Sequence, residues 1–401
     1  MKYIICLGDG MSDEPISQLG DKTPLEAAVT PMMDQLSKKG EIGMVQTIPE
    51  GMKPGSDTAN LAVMGYNPVK YYSGRSPLEA LSIGVPMKDD DIALRCNIVT
   101  ISEEEEVFEE KRIIDHSSDE ISTQDAAVLL DAVKEGLKRE GYHFYLGTSY
   151  RHCLIWEKGQ VVELTPPHDV LEQVIGQYLP ADDVLREMMV KSHDILKNHP
   201  LNLTRKEQGL RPANCCWFWG AGTKPILDDF TEKTGKKGMM ISAVDLLKGI
   251  AVGAGLDNAY VEGANGGLHT NYEGKARAAV KAVTEDGYDF VYIHVEAPDE
   301  MGHQGSAERK VQAIEYLDQK VIAPVVEGLT KKGEDFRLLI LPDHPTPVRI
   351  RTHTSDPVPY LLYDSTLDLK KDWNYNEAEA KNSNNMVEKG YLIIDKLFGK
   401  Y

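Results

Sequence analysis

Four short apolar runs, separated by longer amphipathic stretches, constrain the fold of this chain more than any other feature. The apolar runs, which have the length of buried strands, cover residues 2–7, 258–261, 288–295 and 336–341. The amphipathic stretches, with apolar residues at helical spacing, cover residues 243–254, 272–284 and 307–329. Strands and helices in alternation predict an α/β fold with a mostly parallel sheet and helices on both faces. Ligands of such sheets gather at the carboxyl ends of the strands.

The middle of the chain follows a different pattern. Its strand-like segments cover residues 92–101, 143–146 and 152–156, and the last two form an adjacent pair without a helix between them. Its helix-like segments cover residues 122–139 and 181–197. We therefore predict an inserted α+β domain at 88–211, and a discontinuous outer domain formed by 1–87 and 212–401.

Length, composition and charge limit the classes of function. A chain of 401 residues with 41% hydrophobic and 27% charged residues is typical of a globular protein of about two domains. It has no apolar run of about 18 residues and no signal peptide pattern, so we expect it in the cytoplasm. The formal net charge of -19 disfavours nucleic acid and anionic membranes as partners. Five cysteines without a CxxC pair are expected to be reduced structural thiols.

Two patches near the N-terminus carry candidate catalytic groups. Asp9 follows the first apolar run within Gly-Asp-Gly, where a carboxylate can bind a metal or cap a turn. Ser56 lies in Pro-Gly-Ser-Asp-Thr-Ala-Asn, directly before an apolar helical segment. A hydroxyl at such a junction lies in the field of the helix N-terminus, which favours phosphate and an alkoxide. The alternative for Ser56 is an ordinary N-cap.

Two further patches follow later apolar runs and combine carboxylates with imidazoles. Asp299 and His303 are four residues apart, so on a helix both can bind one ion, although a surface ion pair would show the same spacing. Asp343 and His344 follow the run 336–341 between prolines, with His353 nine residues after His344. The prolines indicate either a loop that holds its ligands in a restricted conformation or an ordinary turn.

Together these patches place seven ligand-type residues at the strand ends of one predicted sheet. They are Asp9, Ser56, Asp299, His303, Asp343, His344 and His353. The set suffices for two divalent ions, and Mn, Mg, Co and Zn all suit carboxylate and imidazole ligands. Metal coordination would make the Ser56 hydroxyl a nucleophile at neutral pH and would neutralise charge on a phosphoryl group. The sequence leaves the choice of metal and the oligomeric state open.

The same motifs resemble those of a known family. In order they read GDG, PGSDTANLAVMGY, HVEAPDEMGH, PDHPTP and RTHTSDPVP. They are similar to the archaeal-type, cofactor-independent phosphoglycerate mutases of the alkaline phosphatase superfamily. The resemblance implies an alkaline-phosphatase-like metal domain with an inserted cap, and a reaction that interconverts 3-phosphoglycerate and 2-phosphoglycerate without bisphosphoglycerate. It also implies a transient phosphoserine at Ser56.

The resemblance further implies the ligand sets and the partner. Asp299, His303 and His353 would hold one ion, and Asp9, Ser56, Asp343 and His344 the other. The partner would be a small anionic phosphorylated substrate, for which the cap should supply cations. The candidates are Arg95, Arg151, Arg75 and Lys224, although an Arg or Lys is often only a solvated surface charge.

Three other functions remain open at this point. A branch of the same family with PDHPTP, RTHTSDPVP and the segment CWFWG has been proposed to act as homoserine kinase, and this sequence resembles that branch. The chain has no GxxxxGK[ST] loop, which favours the mutase. A phosphatase or phosphodiesterase would use the same metal site but release inorganic phosphate. A non-catalytic binding protein would not need Ser56 beside the metal ligands.

Overall fold

The computed structural model describes residues 1–400 and divides the chain into two units. Unit 1 comprises Met1–Tyr72 and Ile226 onwards, and unit 2 comprises Ser73–Pro225. The strands, numbered along the chain, are β1 Lys2–Gly8, β2 Glu41–Val45, β3 Ile92–Ile101, β4 Ile113–Asp115, β5 Tyr142–Thr148, β6 Arg151–Trp156, β7 Cys215–Thr223, β8 Gly238–Ile241, β9 Asp257–Asn258, β10 Phe290–Val295, β11 Phe336–Leu341, β12 Val358–Asp364 and β13 Met386–Val387.

The α-helices are numbered in the same way. They are α1 Pro24–Ala27, α2 Pro31–Ser37, α3 Ser56–Val63, α4 Pro68–Tyr71, α5 Arg75–Ser82, α6 Thr123–Gly136, α7 Asp183–Leu196, α8 Pro200–Glu207, α9 Phe230–Thr234, α10 Asp245–Gly253, α11 Tyr272–Thr284, α12 Ala297–His303, α13 Ala307–Leu317, α14 Ala323–Lys331, α15 Glu377–Asn382 and α16 Ile393–Leu397. Within residues 1–400, no helix combines the length and the apolar character needed to cross a bilayer.

Unit 1 is built on an eight-stranded sheet in the order β13-β2-β12-β11-β1-β10-β8-β9. Strands β11, β1, β10, β8 and β9 are parallel to one another, whereas β12 is antiparallel to both β11 and β2. The central strands are buried on both faces, and helices such as α11 and α13 contribute to the same apolar core. The predicted α/β fold with a mostly parallel sheet is confirmed.

Two predicted elements of unit 1 differ in the structure. The predicted strand 258–261 is reduced to β9, Asp257–Asn258, because the chain then leaves the sheet edge and exposes the Tyr260 side chain. The predicted helix 307–329 consists of α13 and α14 joined by a π-helical segment, Asp318–Ile322. There the buried Asp318 carboxylate accepts hydrogen bonds from the backbone N–H groups of Met32 and Met33 at the start of α2.

Unit 2 contains an antiparallel sheet centred on β3, which pairs with β4, β6 and β7, while β5 pairs with β6. One sheet face packs against α6 and α7 to form a second apolar core. Unit 2 is longer than the predicted insert 88–211 at both ends. It includes β7, which pairs with β3, and α5, which packs against β3 and β7. The five cysteines are buried free thiols.

Candidate metal centre and anion site

The carboxyl ends of three neighbouring parallel strands of unit 1 carry the carboxylates. Asp9 directly follows β1, Asp299 lies in α12 after β10, and Asp343 follows β11. Because β1 pairs with both β10 and β11, these ends meet at one edge of the sheet. The apolar strands thus fix the backbone from which the three carboxylates project.

The first group of ligand-type atoms contains Asp9, Asp343 and His344, all buried. Their ligand atoms lie within 4.8 Å of one another. His344 Nε2 lies 3.5 Å from Asp9 Oδ1 and 3.4 Å from Asp343 Oδ2. Asp343 Oδ1 accepts hydrogen bonds from the backbone N–H groups of Gly10 and His344, which orients the carboxylate.

The second group contains Asp299, His344 and His353 within the same 4.8 Å limit. His303 joins it, because its Nε2 lies 3.2 Å from Asp299 Oδ2 and 3.0 Å from His353 Nε2. His353 Nε2 lies 3.3 Å from Asp299 Oδ1. His344 therefore belongs to both groups, whereas the sequence resemblance placed it only in the set with Asp9, Ser56 and Asp343.

Ser56 lies beside these groups, at the first residue of α3. Its Oγ is 3.0 Å from His344 Nε2. One turn further along α3, the Asn60 side-chain amide donates to the Ser56 carbonyl oxygen at 2.8 Å and to Asp343 Oδ2 at 2.9 Å. The structure thus brings all seven predicted metal and catalytic residues together.

The donor set fits divalent cations. Asp9 Oδ1 is buried and has no hydrogen-bond partner within the described residues. Burial raises the Asp9 pKa well above its usual value, and the neighbouring carboxylates Asp343, Asp299 and Glu296 raise it further. Buried carboxylates beside imidazole nitrogens that face one another at 3.0 Å form an environment that a divalent cation would neutralise.

The surroundings shift the pKa values of His303 and His344 in opposite directions. Hydrogen bonding to Asp299 raises the His303 pKa to about 9, and His303 Nδ1 lies 2.9 Å from the Arg351 carbonyl oxygen. Burial lowers the His344 pKa. A neutral His344 has a nitrogen lone pair available to a metal, as a ligand requires.

Three of the four predicted substrate-binding cations cluster in unit 2. Arg95 and Asn97 are two residues apart on β3, so their side chains lie on the same face of the sheet. Arg151 pairs with Asn97, so its side chain lies on that face as well. This is the face opposite α6 and α7. Helix α5 brings Arg75 to the same group, because Arg75 and Arg95 bind one carboxylate, that of Glu79. Lys224 instead pairs with Asp89, with an Nζ to Oδ1 distance of 3.1 Å.

Glu79 holds two of these guanidinium groups. Its Oε1 lies 2.9 Å from Arg75 Nε, and its Oε2 lies 2.7 Å from Arg95 Nε. Burial acts to raise the Glu79 pKa, but the guanidinium groups of Arg95, Arg75 and Arg151 outweigh it and lower that pKa. Three guanidinium groups near one carboxylate leave a net positive charge that suits an anion.

Aromatic rings line this cationic cluster. The Arg95 guanidinium lies 4.5 Å from the centre of a Trp219 ring, and the Arg151 guanidinium lies 5.2 Å from that of Tyr150. The His168 ring lies 5.3 Å from Trp219 and 6.0 Å from the His116 ring, measured between ring centres. The contacts with Trp219 and Tyr150 thus stabilise the Arg95 and Arg151 guanidinium groups.

Comparison with known proteins identifies the family. A sequence model described as 2,3-bisphosphoglycerate-independent phosphoglycerate mutase matches residues 37–202. A protein of that name from Methanosarcina barkeri is 46% identical over 400 residues, which cover 98% of each chain. A probable mutase of the same kind from Geobacter sulfurreducens is 44% identical over 100% of each chain. The chain belongs to the 2,3-bisphosphoglycerate-independent phosphoglycerate mutase family. The predicted family and enzyme class are confirmed.

Solved structures of similar proteins share the fold of this mutase family member. The PH0037 protein from Pyrococcus horikoshii has a TM-score of 0.82 and 28% identity, covering 100% of this chain and 97% of the other. A cofactor-independent phosphoglycerate mutase from Thermoplasma acidophilum has a TM-score of 0.63 and 24% identity, covering 100% of both chains. The matches include unit 2 as well as unit 1.

Several residues that contact the candidate metal ligands or the arginine cluster were missed by sequence reasoning. Asn60 lies inside the quoted serine motif, but it was not predicted to contact Ser56, although residues four apart on a helix are neighbours. Thr346, within PDHPTP, donates a hydrogen bond to Asp299 Oδ1 at 2.5 Å. Glu79 lies in a short helix without a motif of its own. His294 was read as part of the apolar run 288–295, yet its Nε2 lies 2.8 Å from Asp9 Oδ2.

Proposed function

We propose that this chain interconverts 3-phosphoglycerate and 2-phosphoglycerate without a bisphosphoglycerate cofactor. The names of its relatives support the mutase reaction. The observation that carries the mechanism is the position of Ser56 Oγ, 3.0 Å from His344 Nε2, the residue common to both ligand groups. A hydroxyl in that position is placed to react with a phosphoryl group.

Two divalent ions would complete the site. Asp9, Ser56, Asp343 and His344 would hold one ion, and Asp299, His303 and His353 the other, with His344 adjacent to both sets. When bound, the ions would supply positive charge that favours the Ser56 alkoxide and neutralises the phosphoryl oxygens. Mn, Mg, Co and Zn all remain compatible with this donor set.

Ser56 is the proposed nucleophile and phosphate carrier. Its Oγ gives up its proton and forms a bond to phosphorus as the bond between phosphorus and the substrate oxygen breaks, and the released oxygen of glycerate takes up a proton. The other glycerate hydroxyl then gives up its proton and takes the phosphoryl group from Ser56 Oγ, which regains a proton. The N-terminus of α3 favours the negative charge at Ser56 in both steps.

Unit 2 is the proposed substrate-binding domain, and unit 1 the proposed metal-binding domain. Arg75, Arg95 and Arg151 provide the local cations that an anionic substrate requires on a chain with net charge -19. We assign them to the substrate carboxylate. Lys224 is a further candidate whose pairing with the exposed Asp89 leaves it able to change partner. The cytoplasm remains the proposed location.

Substitution of Ser56 tests the covalent route. Ser56→Ala should lose mutase activity, because no other oxygen can carry the phosphoryl group, and should retain most of its Mn²⁺ binding. Brief incubation of the unsubstituted enzyme with 3-phosphoglycerate should yield a peptide phosphorylated at Ser56, detected by mass spectrometry. The control Ser383→Ala removes a hydroxyl that bonds Ala380 O at the end of α15, and should leave the activity unchanged.

Full activity in Ser56→Ala would refute the phosphoserine. The same preparation should be incubated with homoserine and ATP, because the homoserine kinase alternative would use the same metal residues. Phosphohomoserine without 2-phosphoglycerate would overturn the mutase assignment.

A further inference from the structure

A continuous line of buried hydrogen bonds reaches the candidate metal centre from the interior of unit 1. The Val244 backbone N–H donates to Ser242 Oγ at 3.0 Å. Ser242 Oγ lies 3.1 Å from His294 Nδ1, and His294 Nε2 lies 2.8 Å from Asp9 Oδ2. His294 has no exposed surface, while Ser242 and Asp9 are 7% and 2% exposed. None of the predicted metal or catalytic residues other than Asp9 takes part.

The order of donors and acceptors along this line follows from Asp9 acting as a carboxylate. Ser242 Oγ accepts the Val244 N–H and keeps one hydrogen of its own, which it can donate to His294 Nδ1 when that nitrogen is an acceptor. With Nδ1 acting as acceptor, the ring hydrogen of His294 is on Nε2 and faces Asp9 Oδ2. As a metal ligand Asp9 is a carboxylate and can only accept, so His294 with its hydrogen on Nε2 gives each contact in the line one donor and one acceptor.

The backbone holds the His294 ring in place. His294 lies in β10, where it pairs with Leu7 of β1, two residues before Asp9. Its carbonyl oxygen accepts a hydrogen bond from the buried Lys275 Nζ at 2.8 Å. A side chain anchored by the sheet, by Lys275 and by Ser242 has little freedom to rotate.

This arrangement gives the two oxygens of Asp9 different roles. Oδ2 is occupied by His294, whereas Oδ1 has no hydrogen bond within the described residues and lies 3.5 Å from His344 Nε2. We propose that His294 is a positioning residue that fixes Asp9 as a ligand through Oδ1 alone, and that Ser242 supports the His294 tautomer that donates to Asp9. The inference rests on the metal-dependent function proposed above.

The chemistry explains why an imidazole occupies this place in an apolar strand. The neighbours of His294 along β10 are Ile293 and Val295, and a third aliphatic side chain would pack there without a polar partner. It would leave both Asp9 oxygens without a hydrogen bond beside two other buried carboxylates. Partners that orient metal ligands commonly change metal affinity about 10–100-fold when removed.

The test is calorimetric titration of Mn²⁺ into EDTA-treated enzyme. The unsubstituted chain should show two binding events. In His294→Leu one event should weaken about 10–100-fold, while the event that depends on Asp299 and His353 is unchanged. His294→Gln, which keeps an N–H near the Nε2 position, should recover part of the loss. A general loss of stability would not affect one event alone.

Two further variants make the result decisive. Ser242→Ala removes only a hydroxyl and should weaken the same event to a smaller extent, so it carries the test if His294→Leu does not fold. The control His193→Gln alters a buried histidine of unit 2, whose Nδ1 lies 2.9 Å from the Asn214 carbonyl oxygen, and should bind Mn²⁺ as the unsubstituted chain does.

Each outcome discriminates. Two unchanged events in folded His294→Leu, or in Ser242→Ala if that variant has to stand in, overturn the positioning role and leave the proposed function standing. Absence of binding by the unsubstituted chain, for Mn²⁺ and likewise for Mg²⁺, Co²⁺ and Zn²⁺, overturns the metal-dependent function and this inference with it. Equal weakening of both events in His294→Leu also overturns the specific link to Asp9.

Discussion

The Asn60 side-chain amide forms hydrogen bonds both to the proposed nucleophile, Ser56, and to the candidate metal centre. Its two N–H donors bind Ser56 O and Asp343 Oδ2, and its oxygen accepts the Tyr292 hydroxyl hydrogen at 2.5 Å. Asn60 is fully buried, so each of these bonds replaces one to water. Helix α3 is thereby held at a fixed distance from the loop that follows β11, as a reaction at Ser56 requires.

Arg95 is the guanidinium whose role in substrate binding is easiest to test. We expect Arg95→Met to raise the KM for 3-phosphoglycerate about 10–100-fold, because a hydrogen bond to a charged group contributes about 1.5–3 kcal/mol. The kcat should change less, since Ser56 and its neighbours are untouched. Steady-state kinetics measure both values.

The matched control for Arg95 is Arg139→Met. Arg139 pairs with Glu187, with an Nη1 to Oε2 distance of 3.0 Å, and both side chains are 43% exposed. Its loss should leave the KM unchanged. An unchanged KM in Arg95→Met, with native circular dichroism, would remove Arg95 from the substrate site.

The residues that sequence reasoning could identify are those with a motif at a strand end. Asp9, Asp343 and His344 follow apolar runs directly, so their meeting at one sheet edge was predictable. His294 begins the quoted HVEAPDEMGH motif, but neither it nor Glu79 follows an apolar run. A histidine inside an apolar strand and a glutamate in a short amphipathic helix acquire their roles only from partners that are distant in sequence, namely Asp9 and Arg95.

Strands β5 and β6 form a hairpin in unit 2 that encloses a titratable group. The Gly147 backbone N–H donates to His152 Nδ1 at 3.2 Å, while His152 Nε2 is buried without a hydrogen-bond partner within the described residues. Burial lowers the His152 pKa to about 4, and the positive charge of Lys134 acts in the same direction. The hairpin therefore requires a neutral imidazole.

This requirement predicts a pH dependence for the stability of unit 2. The folded pKa of about 4 lies below the ordinary value of 6.5, so the unfolded chain binds the proton more tightly. The contribution of neutral His152 is complete above pH 6.5 and is lost as the pH falls towards 4, by about 3 kcal/mol in total. The free energy of unfolding at each pH is measured by urea denaturation followed by tryptophan fluorescence, to which Trp156, Trp217 and Trp219 contribute from unit 2.

His152→Gln is the control for the hairpin. Glutamine can accept the Gly147 N–H but does not titrate, so this variant should lose less stability over the same pH interval. Identical pH dependence in the two proteins would show that His152 does not cause it.

At the level of elements, the central strands were predictable and the irregular boundaries were not. The hydrophobic pattern located strands β10 and β11 because they are buried along their length and therefore continuously apolar. It located helix α11 because only one face of that helix is buried. It missed the π-helical break at Asp318, which depends on a contact between that carboxylate and the start of α2. It also missed that α5 and β7 belong to unit 2, since their packing on β3 is a tertiary property.

Across the whole molecule, the net charge of -19 contrasts with the anionic substrate of the proposed reaction. The three buried carboxylates of the candidate metal centre in unit 1 concentrate negative charge, whereas the arginine cluster of unit 2 concentrates positive charge. Bound divalent ions are therefore expected to contribute both to catalysis and to folding stability.

Removal of the metal tests this contribution. EDTA should abolish mutase activity and lower the Tm, because Asp9, Asp299 and Asp343 would repel one another without a cation. Mn²⁺ at about 100 times its Kd should restore about 2.7 kcal/mol for each site. Differential scanning calorimetry measures the change. Asp343→Asn should respond less to added Mn²⁺, and an equal response in both proteins would contradict the assigned ligands.

Phosphorus NMR of the metal-loaded enzyme with 3-phosphoglycerate, in the absence of bisphosphoglycerate, tests the central claim most directly. We expect 2-phosphoglycerate to accumulate until the two isomers reach equilibrium, with no stoichiometric release of inorganic phosphate. Accumulation of inorganic phosphate without 2-phosphoglycerate would contradict it, because the site would then transfer the phosphoryl group to water.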